Sequence, residues 1–282
     1  MRIMKFNSEK EIKGIITNLV EISISAGKEI MNIYSSSINY SIKNDGSPLT
    51  LADTKSHNFI VDSLKKLDPA IPIISEEGKK IPFNDRSNWS HFWLIDPLDG
   101  TKEFINRNGE FTTNIALIKN NIPIIGIVHS PVSKETYSGS ELLGSYFIDR
   151  YGEERKLNIN IANLNRIPRV ALSRSHSSRK TEEFLKLLGK HQIIRSGSSI
   201  KFCMVADNKV DIYPRLSPTS EWDTAAGHAV AIYAGAEVYT YKDFLEYNKK
   251  SNYINDNFIV TNNKYIKPLS VFKHLEKRNR NR

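Results

Sequence analysis

Cysteine is almost absent. Cys203 stands alone in 282 residues, which excludes an intrachain disulfide and makes a reducing cytoplasm the natural home. It lies in an apolar stretch, Phe202 to Ala206, and reads as a packed core thiol rather than a nucleophile. No apolar run approaches the ~18 residues of a membrane-spanning helix. No secretory signal is expected, because Met1–Phe6 carries two cations but Asn7–Lys13 is polar and charged. Internal repeats and low-complexity linkers are also missing. Acidic residues are the minority, 31 against 40 Lys and Arg, giving a net charge of +9. Part of that excess is the end, Lys273 to Arg282, with five cations and one Glu. It reads as a solvated basic tail; contact with an anionic membrane surface or RNA is the sharper alternative. Elsewhere, positive charge helps attract a polyanionic ligand.

What is present suffices for a full core, with 39% hydrophobic and 10% aromatic residues. The length accommodates one large or two modest domains. Apolar residues recur at helical spacing over 8–34 and again over 51–67, where Thr50 is a plausible N-cap. Strands are expected near 71–75, 91–95, 112–119, 123–131 and 135–138, with others at 145–148 and 157–159. From about 160 the pattern alternates: strand 169–173 and helix 179–189, strand 191–196 and helix 198–207, strand 210–213 and helix 222–235. This predicts an N-terminal α+β half, 1–160, and a C-terminal α/β half, 161–282, with a site between them.

The most informative stretch is Asp96-Pro97-Leu98-Asp99-Gly100-Thr101, after the apolar run His91–Ile95. A tight turn there can aim Asp96, Asp99 and the Leu98 carbonyl at one point, an oxygen set that suits hard divalent cations. Gly100 and Thr101 add backbone N–H groups where a helix begins, a seat for an anion. Cation and phosphate sites side by side suggest metal-assisted phosphate chemistry. An Asx-turn surface loop is the plainer alternative.

Three further acidic signals accompany it. Ile71–Ile74 ends in Ser75-Glu76-Glu77-Gly78; adjacent side chains diverge on a strand, so Glu76 is favoured as a bridging ligand and Glu77 as its support. A solvated acidic loop explains this feature equally well. Asp45–Asp53 leads from a Gly/Ser/Pro turn into a helix whose first turn holds Asp53, where helix-start chemistry competes with a catalytic role. Glu221–Val230 places Asp223 at the start of a small-residue helix, either reaching into a cleft or acting as an N-cap.

In order and spacing these four motifs resemble the inositol monophosphatase superfamily of magnesium-dependent, lithium-sensitive phosphatases. The longer run Asp96–Ile105 is similar to the bacterial 3′(2′),5′-bisphosphate nucleotidase branch. So are Asn108–Thr112, Ser173-Arg174-Ser175-His176, Gly197–Cys203 and Tyr213-Pro214-Arg215. The resemblance spans about 10–262. It implies a layered αβαβα sugar-phosphatase fold of the α+β class and a hydrolase that uses two to three Mg2+. Glu76, Asp96 and the Leu98 carbonyl would hold one ion. Asp96, Asp99 and Asp223 would hold a second, and Asp53 would support Thr101 and help place a third. Thr101 and Glu76 would orient a metal-bound water. Gly100 and Thr101 N–H groups would bind phosphate oxygens, with no phosphoenzyme.

On the substrate side, the resemblance places His176, Ser198, Lys201 and Arg215 against a nucleotide. Lys201 and Arg215 would pair with its 5′-phosphate. His176 and the Gly197-Ser198 backbone would lie near ribose or adenine. The leading expectation is removal of the 3′-phosphate of adenosine 3′,5′-bisphosphate, with 3′-phosphoadenylyl sulfate as a second substrate and a link to sulfur assimilation. The runner-up is an inositol- or sugar-monophosphate phosphatase, against which Phe104–Thr112 and the Lys201 block argue. A non-catalytic RNA-binding relative is the third class, disfavoured because clustered carboxylates repel RNA. The partner expected is thus a small nucleotide and not a nucleic acid. Peripheral attachment to the cytoplasmic face of the inner membrane is left open, as is the oligomeric state.

Overall fold

The computed structural model describes residues 6, 8–36, 38–43, 46–159, 167–174, 178–241 and 243–262. The first half holds α1 (Glu9–Tyr34), β1 (Tyr40–Ile42), β2 (Pro48–Thr50), α2 (Leu51–Leu67), β3 (Ile73–Ser75), α3 (Phe83–Arg86), β4 (His91–Asp99) and α4 (Thr101–Ile105). It continues through β5 (Thr112–Lys119), β6 (Ile122–Ser130), β7 (Glu135–Ser140), β8 (Gly144–Ile148) and β9 (Glu154–Leu157). The second half holds β10 (Arg169–Ser173), α5 (Arg179–Leu188), β11 (Gln192–Ser196), α6 (Ile200–Ala206), β12 (Ile212–Arg215), α7 (Ala225–Tyr233), β13 (Glu237–Thr240) and β14 (Phe258–Thr261).

Both long N-terminal helices start at oxygen-bearing caps. Ser8 Oγ accepts from Glu11 N (3.3 Å). Thr50 and Asp53 form a reciprocal capping box on α2. The buried stripe of α1, Ile12, Ile15, Leu19 and Ala26, then packs with Ile60 and Leu64 of α2. Together they cover one face of a seven-stranded sheet, ordered β3 to β9 in sequence. Trp93, Ile95, Ile115, Leu117, Ile125 and Ile127 meet them there, the alternating inward positions of β4, β5 and β6.

Alternate residues of the same strands, Phe92, Leu94, Ala116, Ile118 and Val128, face α6 and α7. Those two helices share their core with a five-stranded sheet, ordered β11-β10-β12-β14-β13. Phe184 of α5 closes its far face over Val170, Leu172, Ile212 and Ile259. The layers therefore run αβαβα, as expected. The second sheet opens with parallel β10–β11 and β10–β12 pairs and finishes with antiparallel β12–β14 and β13–β14 pairs.

The small residues of α7 have a geometric cause. Gly126 and Gly139 stand opposite each other on β6 and β7. A Cβ on Gly126 would lie 2.3 Å from the Ala226 carbonyl oxygen, and one on Gly139 would lie 2.6 Å from Val230 Cα. The helix backbone thus rests directly on the sheet. Gly139→Ala is expected to lower stability by about 3 kcal/mol, the upper end of ordinary overpacking, because backbone must move. Equilibrium denaturation measures it; a change within about 0.5 kcal/mol, the range of a surface substitution, would contradict the packing.

Several elements differ from expectation. β4 does not stop at Ile95 but runs on to Asp99, pairing Asp96 with Asn114 and Asp99 with Thr112 around a bulge at Pro97-Leu98. Proline has no N–H to give a ladder, so the bulge falls where it costs least. Asp223 does not cap α7: the N-cap is Thr224, and Asp223 lies one residue outside the helix. β1, β2, α3, β13 and β14 have no counterpart in the sequence reading. Asp45, His176 and the basic tail 273–282 lie outside the described residues. Among the described residues no helix is long and apolar enough to cross a membrane.

Candidate active site

A cavity of about 910 Å³ opens between the two sheets' ends and draws its lining from both halves of the chain. Glu76, Asp96, Leu98, Asp99, Gly100 and Thr101 line it from the first half. Ser198, Lys201, Arg215 and Asp223 line it from the second.

The acidic group is assembled by three separate chain segments. Glu76 follows β3, and its N–H donates to the Ile95 carbonyl (3.2 Å), which fixes it beside β4. The bulge in β4 is tied down through the Pro97 carbonyl, which accepts from Ser56 Oγ (2.8 Å) and Thr113 Oγ1 (3.3 Å). Asp96 Oδ1 accepts from Leu98 N (3.0 Å) across the same bulge. Asp223 is held by Thr219 Oγ1 (2.6 Å) and Ser220 N (2.9 Å), both on Oδ2. Carboxylate oxygens of Glu76, Asp96 and Asp223 then fall within 4.8 Å of one another.

Asp99 stands somewhat apart from that trio. Its Oδ2 accepts from Ser199 N (2.5 Å) and Asn114 Nδ2 (3.3 Å), so it also ties the two halves together. Asp53 is shared between two tasks. Oδ2 accepts from Thr50 N (2.7 Å) and Oγ1 in the capping box, while Oδ1 accepts from Thr101 Oγ1 (3.1 Å). Helix-start chemistry and a contact with Thr101 are therefore not alternatives. Gly100 precedes α4 with φ +95°, a left-handed conformation in which a side chain would be strained.

Like charges in a buried space set the electrostatics. Burial and then Asp223 push Glu76 up to about 8. Burial and then Asp223 push Asp99 up to about 7. Asp96 lies well above the usual carboxylate range, through burial, Glu76, Asp99 and Asp223. Asp223 and Asp53 are also raised, each chiefly by burial. Protein cations relieve little of this. Lys43 Nζ donates to Glu76 (2.9 Å) and to Glu77, and it is the ammonium paired with that pair of acids. Several hard oxygen donors, converging and repelling, suit a divalent cation.

The cations of the second half are held differently. Lys201 is buried, and its three donors go to the Ser196 (3.3 Å), Gly197 (2.8 Å) and Ser198 carbonyls. Burial lowers it to about 8, against the pull of Asp99. Arg215 donates to Ser173 Oγ (2.9 Å) and the Pro218 carbonyl (2.8 Å), while its buried Nε has no partner. Ser198 has φ +40°, and its buried Oγ is also without a partner. Cys203 is buried beneath this region and its thiol is pushed up by burial, the state of an inert core group.

Lys43, Asn114 and Ser199 were not anticipated. Thr112, Thr113 and Asn114 carried a signal: three successive polar residues open a strand that is otherwise apolar, and all three are buried. Lys43 had none, since a single lysine 33 residues from its partner looks like any surface cation.

The chain matches the inositol monophosphatase family over residues 12–278. It is 42% identical over 250 residues to the 3′(2′),5′-bisphosphate nucleotidase CysQ of Salmonella typhimurium, covering 88% of this chain and 99% of that protein. The protein of the same name from Buchnera aphidicola is 39% identical, covering 88% and 94%. Among solved structures, CysQ of Bacteroides thetaiotaomicron superposes with a TM-score of 0.77 at 40% identity, covering 87% of this chain and 96% of that one. An inositol monophosphatase of Thermotoga maritima shares the fold at 22% identity, with a TM-score of 0.75 and coverage of 94% and 99%. A five-layer fold, one acid-lined cavity and these matches agree: the chain belongs to the inositol monophosphatase family.

Proposed function

We propose that the protein is a magnesium-dependent 3′(2′),5′-bisphosphate nucleotidase that converts adenosine 3′,5′-bisphosphate to AMP and phosphate, with 3′-phosphoadenylyl sulfate as a second substrate. The observation that carries this reading is a cavity whose lining brings Glu76, Asp96, Asp99 and Asp223 together with Lys201 and Arg215. A phosphate ester carrying a second phosphate matches both sets. Identity of 42% to named nucleotidases, against 22% to a named inositol monophosphatase, supports the nucleotide over the inositol ester.

Glu76, Asp96 and the Leu98 carbonyl would hold one magnesium; Asp96, Asp99 and Asp223 would hold a second; and Asp53 would help place a third. Bound there, the ions would neutralise the acids and the phosphate, acidify water and stabilise the leaving oxygen. Thr101 Oγ1 donates to Asp53, so its lone pairs are free to accept from a water and orient it. A proton from that water would pass to Thr101 Oγ1 as the threonine's own proton moves to Asp53 Oδ1, and the leaving 3′-oxygen would take its proton from solvent water in the open cavity. Burial raises Asp53, which suits it to hold that proton. Glu76 would orient the same water, and the Gly100 and Thr101 N–H groups would bind phosphate oxygens. The Ser198 hydroxyl would take a ribose oxygen, with His176 nearby. Lys201 would exchange one of its three carbonyl acceptors for the 5′-phosphate, which Arg215 would share.

In this reading 1–160 supplies the metal half and 161–282 the substrate half, in a cytoplasmic enzyme. Lys201→Ala tests the substrate assignment. A charge-assisted hydrogen bond contributes about 1.5–3 kcal/mol, so KM for adenosine 3′,5′-bisphosphate should rise roughly 10- to 100-fold. Turnover of inositol 1-phosphate should change far less. Equal losses on both esters would show that Lys201 does not read the 5′-phosphate.

A further inference from the structure

Glu110 lies outside the acidic group and outside every role assigned above, yet it is the hinge pin of the substrate wall. It sits just before β5, in the first half of the chain. Its Oε2 accepts from the Gly197 N–H (2.8 Å), in the loop between β11 and α6. The same carboxylate takes Arg174 in a two-point pair, Nε on Oε2 (2.9 Å) and Nη2 on Oε1. Arg174 follows β10, lines the cavity and also reaches the Arg195 carbonyl (3.4 Å). One side chain of the first half thus grips two neighbouring loops of the second.

The fit at Gly197 is close enough to be specific. A Cβ there would lie 2.6 Å from the Glu110 carbonyl oxygen and 2.9 Å from Glu110 Cβ. Gly197 is the residue before Ser198, whose φ of +40° is unusual for a side-chain-bearing residue. Such a conformation persists only where surroundings enforce it. Here Glu110 holds the N–H before it, Asp99 holds the Ser199 N–H after it, and Lys201 holds the carbonyls of Ser196, Gly197 and Ser198. The Ser199 side chain is anchored separately, by Asn114 (2.7 Å). Of the three groups that hold this loop's backbone, Asp99 and Lys201 also belong to the cation and substrate sites, whereas Glu110 does not.

We propose that Glu110 is a positioning residue for nucleotide recognition: through Gly197 N–H and Arg174 it holds the Gly197–Ser199 loop in the shape that presents the Ser198 hydroxyl and the Lys201 ammonium to the sugar and its second phosphate. The inference rests on the nucleotidase reading and deepens it. The 3′-phosphate and its cations contact other residues, so Glu110 governs which ester binds and not how fast the bond breaks.

The test compares Glu110→Ala with Glu110→Gln in the full chain, on adenosine 3′,5′-bisphosphate and on inositol 1-phosphate. Magnesium binding is followed by calorimetry without substrate. The alanine variant loses the acceptor for Gly197 N–H; losing one such bond is worth about tenfold, so its KM for the nucleotide should rise by about that factor or more. Its kcat and its magnesium affinity should stay near wild type. Glutamine keeps a carbonyl oxygen for the Gly197 N–H and should hold KM much closer to wild type, a rescue that a purely structural acid would not produce. If the alanine variant does not fold, Glu110→Asp carries the same expectation, because its shorter arm cannot reach both partners. Unchanged nucleotide KM, or a loss shared equally by both esters with loosened magnesium, would overturn the role of Glu110. No nucleotide turnover by the wild type would instead refute the reading beneath it.

Discussion

Asp96→Asn should abolish most activity while making the metal-free protein harder to unfold. Asparagine keeps the shape of aspartate and an oxygen for the Leu98 N–H. It removes a carboxyl whose ionisation is opposed by burial and by Glu76, Asp99 and Asp223, at a position only 1% exposed. Charge stabilisation by a bound metal is worth several kcal/mol at the transition state, so kcat/KM should fall by about 10³-fold. The stabilising effect has the opposite sign because one of four mutually repelling groups is gone. It should be larger at pH 8 than at pH 6.5, since more of the remaining acids are then ionised. Steady-state kinetics and thermal melts with a chelator read both arms. A variant that keeps most of its activity would refute the metal assignment for Asp96.

The second large effect is a coupling of stability to pH and magnesium. Glu76 is raised to about 8 and Asp99 to about 7, each by burial and then Asp223, and Glu221 is raised to about 7, chiefly by burial. Unfolding returns them to ordinary carboxylates that have lost their protons by then. The folded state therefore binds more protons than the unfolded one, and metal-free stability must fall as pH rises through this range. Below about 6.5 the buried His129 and His228, lowered to about 4 and about 3 chiefly by burial, act in the opposite sense. Above about 8, Lys201 does the same. The clean window is thus pH 6.5 to 8.

Magnesium bound at these acids would replace those protons, so its stabilising effect should grow across the same window. At a hundredfold excess over Kd a ligand adds about 2.7 kcal/mol. For a chain of this size that is a rise in Tm of roughly 5 °C. Thermal melts at pH 6.5 and pH 8, with chelator or with magnesium, measure the coupling. A metal-free Tm that does not fall with pH, or a magnesium effect independent of pH, would contradict it.

Local chemistry was the legible part of this fold. Thr50 and Asp53 marked the start of α2, and the 3.6-residue stripe of α1 gave its face and nearly its ends. The run from Thr112 to Lys119 was read with the bounds of β5. Long-range pairing was the illegible part. That β4 continues through Asp96 and Asp99 depends on Asn114 and Thr112 standing opposite, and nothing near Pro97 announces them. Gly126 and Gly139 look like ordinary glycines until α7 is placed against them. β13 is defined by its pairing with β14, and β14 by its pairing with β13 and β12.

The same division holds at the site. Glu76, Asp96, Asp99 and Asp223 stood out because acids follow apolar runs or precede an apolar helix, and all four line one cavity. The trio within 4.8 Å, and Asp99 turned toward Ser199 and Asn114, required three dimensions. So did Lys43 between Glu76 and Glu77, and the Gly197 N–H on Glu110.

The most direct test is phosphate release from adenosine 3′,5′-bisphosphate and from inositol 1-phosphate, side by side, with magnesium and with a chelator. A strong magnesium-dependent preference for the nucleotide is the predicted result. A preference for the inositol ester, or release that survives the chelator, would contradict the account.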